Sequence, residues 1–487
     1  MAMKKILTII LLVLLIGSGG YVYAQSETKE KTDITFSEVS VHDPSIMKVD
    51  DEYYIIGSHM AAAKSSDLIN WTSISESVDN TKLFKNIKTD LSEALKWGKT
   101  NTFWAGDWIK LQDGKYYMYY CVCQGNCPQS AIGYAVADNP EGPYTNLGIL
   151  LKSSGKDPLE YTDANGEIKT YNATIHPNTV DPNVFFDAEG KLWMIYGSYS
   201  GGIYILELDK NTGRPIDGQG TYGKKLLGGD HSEIEAPYVI YSPQTKYYYM
   251  FLSFGGLTAD GGYNIRVSRS EKPDGPYYDP MGNDMIDCKG IRGKALAEQN
   301  EVITKFGEKL MGNFNYPYSE ESESDKKGYV SPGHNSAYYD EATGKYFLIF
   351  HSRFPESGEM HEVRVNEMFM NEDGWPVVAP FRYAGVNNDD FKSKDVCGKY
   401  KFINHGHEIT EEIKDFRDIQ LNKNSEISGE IEGKWEVKDK NNIEINIDGI
   451  LYKGVVSKQY DINRKCYTTT FSVMSEENGT CLWGIKE

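Results

Sequence analysis

At 487 residues and a formal net charge of −19 at neutral pH, the chain can hold one large domain and a smaller one, and it is too acidic to favour nucleic acid or an anionic membrane as partner. Aromatic residues make up 13% of it, with 35 Tyr, 8 Trp and 47 Gly, a mixture that favours strands and tight turns over helices. Such acidity suits an exported protein acting on a neutral polymer.

The N-terminus predicts export. Lys4 and Lys5 precede an apolar run at residues 6–16, then Gly17-Ser-Gly-Gly20 and Val22-Tyr-Ala24. Basic start, short apolar core and small-residue exit mark a secretory signal peptide at residues 1–24. The run is too short to span a bilayer comfortably, and no Cys lies near the cleavage point to carry a lipid. Residues 25–33 are polar and read as a disordered linker, so the mature protein is expected outside the cell.

A turn followed by an aromatic strand then recurs five times. The copies are Asp51-Glu-Tyr-Tyr-Ile-Ile-Gly-Ser58, Gly114-Lys-Tyr-Tyr-Met-Tyr-Tyr120, Gly190-Lys-Leu-Trp-Met-Ile-Tyr-Gly-Ser198, Thr245-Lys-Tyr-Tyr-Tyr-Met-Phe-Leu-Ser253 and Gly344-Lys-Tyr-Phe-Leu-Ile-Phe-His-Ser352. Each is a hairpin signal. A second repeat, Asn139-Pro-Glu-Gly-Pro-Tyr144 and Lys272-Pro-Asp-Gly-Pro-Tyr277, keeps register with the first. Repeated multi-strand units point to an all-β fold, a five-bladed β-propeller over residues 34–386. Glu308-Lys-Leu-Met-Gly-Asn-Phe314 is a weaker sixth hairpin candidate, and a β-sandwich, the alternative, would not need repeats in register. Beyond Pro380 the composition shifts toward Lys, Asn, Glu and Ile. Alternating runs such as Ile443-Glu-Ile-Asn-Ile447 predict a small all-β domain, a β-sandwich or β-barrel, at residues 387–487. A structural clamp and a sugar-binding module are equally open roles for it.

The seven cysteines, 121, 123, 127, 288, 397, 466 and 481, leave at least one thiol unpaired in a monomer. Cys121 and Cys123 share a strand face. A metal knuckle at 121–127 lacks a second ligand pair, so a disulfide through Cys127 or buried thiols are the better readings. Cys466 and Cys481 are a candidate pair, with Cys397 in competition.

Three acidic residues stand in short, unusual contexts: Asp43 in Val41-His-Asp-Pro-Ser45, Asp181 in Thr179-Val-Asp-Pro-Asn183 and Glu235 in Ile234-Glu-Ala-Pro-Tyr238. Proline pushes the residue before it toward an extended conformation, which would give Asp43 and Asp181 a fixed direction. Each of the three precedes the aromatic hairpin of its unit by ten to twelve residues. One such residue would be read as a turn cap; three at one offset in a repeat predict a ring around one channel. Paired carboxylates at one site are the equipment of glycoside hydrolysis. Glu233 is a rival to Glu235. Trp104 and Trp108 flank Asp107, expected to face the channel; an indole face stacks on sugars, which suits Trp104, whereas packing between blades suits Trp108.

With these motifs the chain resembles glycoside hydrolase family 43, a family of five-bladed propellers, and within it the two-domain endo-arabinanases. The resemblance runs through His42-Asp-Pro44, Phe103-Trp-Ala-Gly-Asp-Trp108, Ile175-His-Pro-Asn-Thr-Val-Asp-Pro-Asn-Val-Phe-Phe186, Ile234-Glu-Ala-Pro-Tyr238, Ser331-Pro-Gly-His-Asn-Ser336 and Phe350-His-Ser-Arg-Phe354. Ala-Gly-Asp107 and Glu-Ala-Pro237 depart from the commoner Ala-Pro-Asp and Glu-Gly-Pro, which bears on loop shape rather than on the carboxylates. The resemblance implies Asp43 as general base, Glu235 as general acid and Asp181 as the charge that orients the acid and keeps it protonated. It implies a metal, usually calcium, held in the channel at His334. His42, Trp104 and Ser198 are candidate substrate contacts. The implied activity is inverting endo-hydrolysis of arabinan by a secreted monomer. Exo-arabinofuranosidase, β-xylosidase or a non-catalytic carbohydrate-binding propeller are the alternatives.

Overall fold

The computed structural model describes residues 33–320, 322–386 and 390–487. The predicted signal peptide, all of the linker but Asp33, and the first three residues of the predicted second domain lie outside them.

Five antiparallel sheets follow one another along the chain, and each of the five aromatic hairpins supplies the strand paired next to its sheet's inner strand. The inner strands are Ser45–Val49, Trp104–Lys110, Asn183–Phe186, Ile234–Tyr241 and Gly328–Asp340, each paired to the strand that follows it. Four sheets have four strands; the fifth gains a short extra one, Phe314–Asn315. Glu308–Met311, the weaker sixth hairpin signal, is not a blade of its own. It is the outer strand of the fourth blade, paired with Asn264–Ser270.

The aromatic runs lack polar alternation because each blade is covered on both faces. In the fourth blade Tyr248, Met250 and Leu252 pack toward the third, while Tyr249 and Phe251 pack toward the fifth. Similar shared cores join first to second, second to third, and fifth to first. The last of these closes a five-bladed propeller. Glu38, in the segment leading into the first blade, reinforces the closure by pairing with Arg364 and Arg382 of the fifth. The second sequence repeat is a conserved turn device within the molecule: Tyr144 donates to Pro140 O at 3.0 Å and Tyr277 to Pro273 O at 2.9 Å.

Residues Gly398 to Lys486 form an eight-stranded barrel, closed by pairing Gly398–Asn404 with Cys481–Lys486. Of the two predicted architectures the barrel is therefore the one adopted. Tyr400, Phe402, Trp435, Phe471 and their neighbours pack together in its interior. One side of it continues into the propeller core between the fourth and fifth blades, through Met474, Cys481 and Trp483.

All seven cysteines are free. The expected Cys466–Cys481 bridge is corrected by strand register: Met474, not Cys466, lies opposite Cys481. Eight residues of strand, roughly 27 Å at about 3.4 Å per residue, separate the two thiols. Cys481 instead donates to Glu308 Oε1 at 3.0 Å. Cys127 is also unpaired, and the three cysteines at 121–127 do not gather as metal ligands.

Candidate active site

The inner strands reach the channel mouth through a shared irregularity. Ser45, Asp107, Asn183, Tyr238 and Ser336 each begin or resume regular pairing. Two residues before them stand Asp43, Ala105, Asp181, Ala236 and His334. Four of these five are left-handed, with φ of 58° at Asp43, 55° at Asp181, 58° at Ala236 and 44° at His334. The expected extended conformation before proline is thus replaced by a kink. Short polar residues such as Asp tolerate this region best, and strain of this kind is kept where the surroundings hold it. In the fourth blade Glu235 occupies the position just before the kink.

The kinks bring the three acids together at one cavity of about 470 Å³. Asp43, Asp181 and Glu235 line it, as do the other four predicted site residues His42, Trp104, Ser198 and His334. The carboxylates are only 5%, 8% and 8% exposed. Asp107, expected to face the channel, is buried one layer away. It accepts from Ser45 of the first blade, from Asn183 Nδ2 at 3.0 Å and from the Val184 amide at 2.5 Å, tying three blades together. Burial pushes its carboxyl up to about 6 despite those hydrogen bonds. Trp108 is packed against Tyr54 between blades, as expected.

Asp43 sits among imidazoles. Its Oδ1 is 2.7 Å from His42 Nδ1 and 3.0 Å from His334 Nδ1, without an aligned hydrogen bond to either. Its Oδ2 accepts from Ser58 at 2.5 Å, and its amide donates to His351 Nδ1 at 3.2 Å. Accepting that bond requires a neutral His351, and burial does hold it well below the usual imidazole range. Burial alone would raise Asp43, but the positive fields of His334 and His42 more than offset it, so Asp43 lies well below the ordinary carboxylate range. His334 moves the other way: burial opposes its charge, yet Asp43, Asp181 and Glu235 together bring it up to about 9.

Both oxygens of Glu235 are held: Ser198 donates to Oε2 at 2.8 Å and Tyr263 to Oε1 at 2.7 Å. Asp181 Oδ2 accepts from the amide of Ala236, next to Glu235, at 3.3 Å. Burial, joined by the negative charges of Glu235 and Asp43 and opposed by His334, pushes Asp181 up to about 8. Burial beside two other carboxylates thus favours the protonated form of Asp181. Glu233 is turned away from the cavity, accepting from Asn300 at 2.6 Å and Tyr199 at 3.4 Å. Trp104 stands at the cavity rim, fixed by a bond from its indole nitrogen to Cys123 O at 3.0 Å.

Ser58, His351 and Tyr263 were not foreseen as site residues. Ser58 had a signal, since Gly57-Ser58 and Gly197-Ser198 end equivalent repeats and one serine holds Asp43 while the other holds Glu235. Tyr263 lies in no repeat, and its partner is 28 residues away in sequence, so only the family resemblance of Gly262-Tyr-Asn-Ile-Arg266 touched it.

The comparisons agree with this geometry. Residues 33–376 match glycosyl hydrolases family 43, and residues 380–484 match the C-terminal lipocalin-like domain that accompanies it. The chain is 54% identical over 453 residues to the extracellular endo-alpha-(1->5)-L-arabinanase 2 of Bacillus subtilis, covering 93% of this chain and 94% of that one. It is 47% identical over 481 residues to the extracellular endo-alpha-(1->5)-L-arabinanase of Thermotoga petrophila, covering 98% of each. The crystal structure of a family 43 glycoside hydrolase from Bacillus licheniformis superimposes with a TM-score of 0.88 at 52% identity, over 93% of this chain and 99% of that one. With the propeller, the channel and the barrel all matched, this chain belongs to glycosyl hydrolases family 43.

Proposed function

We propose that this protein is a secreted, inverting endo-hydrolase of the α-1,5-L-arabinofuranosidic bonds of arabinan, the side chains of plant pectin, acting as a monomer. The observation that carries the reading is the meeting of three buried carboxylates at one cavity in a chain whose full-length relatives are named extracellular endo-arabinanases.

Asp43 is the general base. The histidines around it keep it ionised and Ser58 fixes its Oδ2, so the carboxylate is held ready to take a proton from water. Glu235 is the general acid, held by Ser198 and Tyr263 with its carboxyl on the cavity wall. A third negative charge in the buried trio is costly, so one proton stays with the Asp181 and Glu235 pair. Glu235 is the member placed to give it to the leaving oxygen. Inversion in one step needs base and acid on opposite faces of the sugar, roughly 6.5–9.5 Å apart, with the water between. His42 and Ser198 touch the reacting carboxylates, and Trp104 offers a stacking face to a neighbouring sugar.

The channel suits a calcium ion. A second, small cavity of about 20 Å³, room for one water-sized occupant, is lined by Asp43, Asp181, His334 and Asn335 among others. Asn335 Oδ1 and Ser336 Oγ are buried without a hydrogen-bond partner. His334 would hold the ion only after giving up the proton it otherwise keeps beside the carboxylates, with oxygen donors and water completing the shell that calcium prefers. A bound cation would supply positive charge that favours ionised carboxylates at the mouth.

A timed product profile on linear arabinan tests the reading. Arabino-oligosaccharides appearing before arabinose support it. Arabinose alone would make the protein exo-acting, xylose from xylan a xylosidase, and binding without turnover a carbohydrate-binding propeller.

A further inference from the structure

Residues 255–263 form a loop between two strands of the fourth blade that carries two groups of the site. Leu257 lies on the cavity wall, and Tyr263 donates to Glu235 Oε1 at 2.7 Å. Tyr263 is 0% exposed. Its ring packs against Gly333, where a Cβ would come within 2.0 Å of Cδ1, so the ring has no room to swing away from Glu235 on that side.

Behind this loop runs the barrel's first connection, residues 405–416. Gly262, with φ of 70°, presses on Thr410: a Cβ there would lie 2.8 Å from the Thr410 carbonyl carbon. At Gly255 a Cβ would lie 2.9 Å from Ile409 Cγ2. The two ends of the loop therefore rest on two adjacent residues of the C-terminal domain, Gly262 on Thr410 and Gly255 on Ile409. The connection is in turn fixed to the fourth blade by side chains that reach its carbonyl oxygens. Arg266 donates to His407 O at 2.5 Å, Lys309 to Glu408 O at 2.7 Å and Asn313 to Glu411 O at 3.1 Å. Arg266 and Lys309 are 0% and 2% exposed. Burying such long polar side chains is costly, to the point that burial pushes the Lys309 amine down to about 7, and stability alone would be served as well by apolar packing. What Arg266 and Lys309 add is a fixed position for the connection.

We propose that Tyr263 is a positioning residue for Glu235 and that the connection at 405–416 is the brace that sets Tyr263, so the C-terminal domain takes part in acid catalysis without touching substrate. This rests on Glu235 being the acid. A carboxyl that must meet the leaving oxygen loses rate when its direction is loosened, even when the fold is kept.

The test compares two substrates. Cleavage of arabinan needs a proton on the leaving sugar, whereas a nitrophenyl α-1,5-L-arabinotrioside has a leaving group that departs without one. Glu235→Ala is expected to lose about 10³-fold or more in kcat on arabinan, Tyr263→Phe about 10–100-fold, and Ile409→Ala about 3–10-fold, while all three stay within about threefold of the parent on the nitrophenyl substrate. Thermal melting checks the fold, and Ile409→Val carries the same comparison at smaller amplitude if the alanine variant does not fold. Equal losses on both substrates for Tyr263→Phe would overturn its positioning role. Parental activity of Ile409→Ala on arabinan would overturn the brace. If Glu235→Ala itself is not rescued by the nitrophenyl group, the acid assignment falls and this inference with it.

Discussion

His334 Nδ1 stands 3.0 Å from Asp43 Oδ1, so the inner strands of the fifth and first blades meet at the channel mouth through an imidazole and a carboxylate. That contact offsets the burial that would otherwise keep Asp43 protonated. His334→Ala should shift the acid limb of the kcat/KM profile to higher pH, because Asp43 then holds its proton longer. At neutral pH the loss in kcat should be about 10–100-fold. The same residue carries the metal proposal. Chelation followed by elemental analysis should lower activity and remove one equivalent of calcium; unchanged activity with no bound ion takes His334 off the metal site.

Ser198 and Glu235 form the other critical pair, at 2.8 Å. Ser198→Ala removes one of two hydrogen bonds to the acid and keeps the side chain's Cβ, so blade packing is little disturbed. The expected result is about a tenfold or greater fall in kcat on arabinan with melting temperature changed little. A large drop in melting temperature with kcat preserved would make Ser198 structural.

Asp181 links activity to stability. Its carboxyl is pushed up to about 8 from an ordinary 3.8, facing Glu235 and Asp43 with His334 opposing. The native state thus keeps a proton that the unfolded chain releases, and this group makes stability fall as pH rises from about 4 to about 8. Activity should decline on the basic side near pH 8 as that proton is lost. Asp181→Asn should remove the stability cost at pH 8, raising the melting temperature, while reducing kcat by about 10²–10⁴-fold. A variant less stable at pH 8 than its parent would contradict the burial argument.

The thiols offer a check independent of catalysis. Seven free cysteines should react with a thiol reagent in denaturant, and a reductant should leave the melting temperature unchanged. A count of five or three would mean that disulfides form where the strand register argues against them.

Most of the fold was legible because propeller blades are local: each hairpin signal at 51, 114, 190, 245 and 344 became the strand paired next to one sheet's inner strand. The carboxylates were legible for the same reason, their offset from each hairpin placing Asp43, Asp181 and Glu235 on one mouth. What the chain hid depended on three dimensions. The left-handed kinks at Asp43 and Asp181 answer to the curvature of the channel, which outweighs the local preference before proline. Asp107 read as a channel residue because strand position does not say on which layer of the channel a side chain ends. The proton on Asp181 depends on burial and on two neighbours from other blades. The brace behind Tyr263 joins segments more than a hundred residues apart, beyond the reach of any local pattern.

The central claim is that Asp43 and Glu235 act together in a single inverting step. Proton NMR of the anomeric region during the first minutes of arabinan-oligosaccharide hydrolysis tests it most directly. The account predicts that the β-anomer appears first and the α-anomer only later, by mutarotation, with no signal from Asp43→Ala. Initial release of the α-anomer would contradict it.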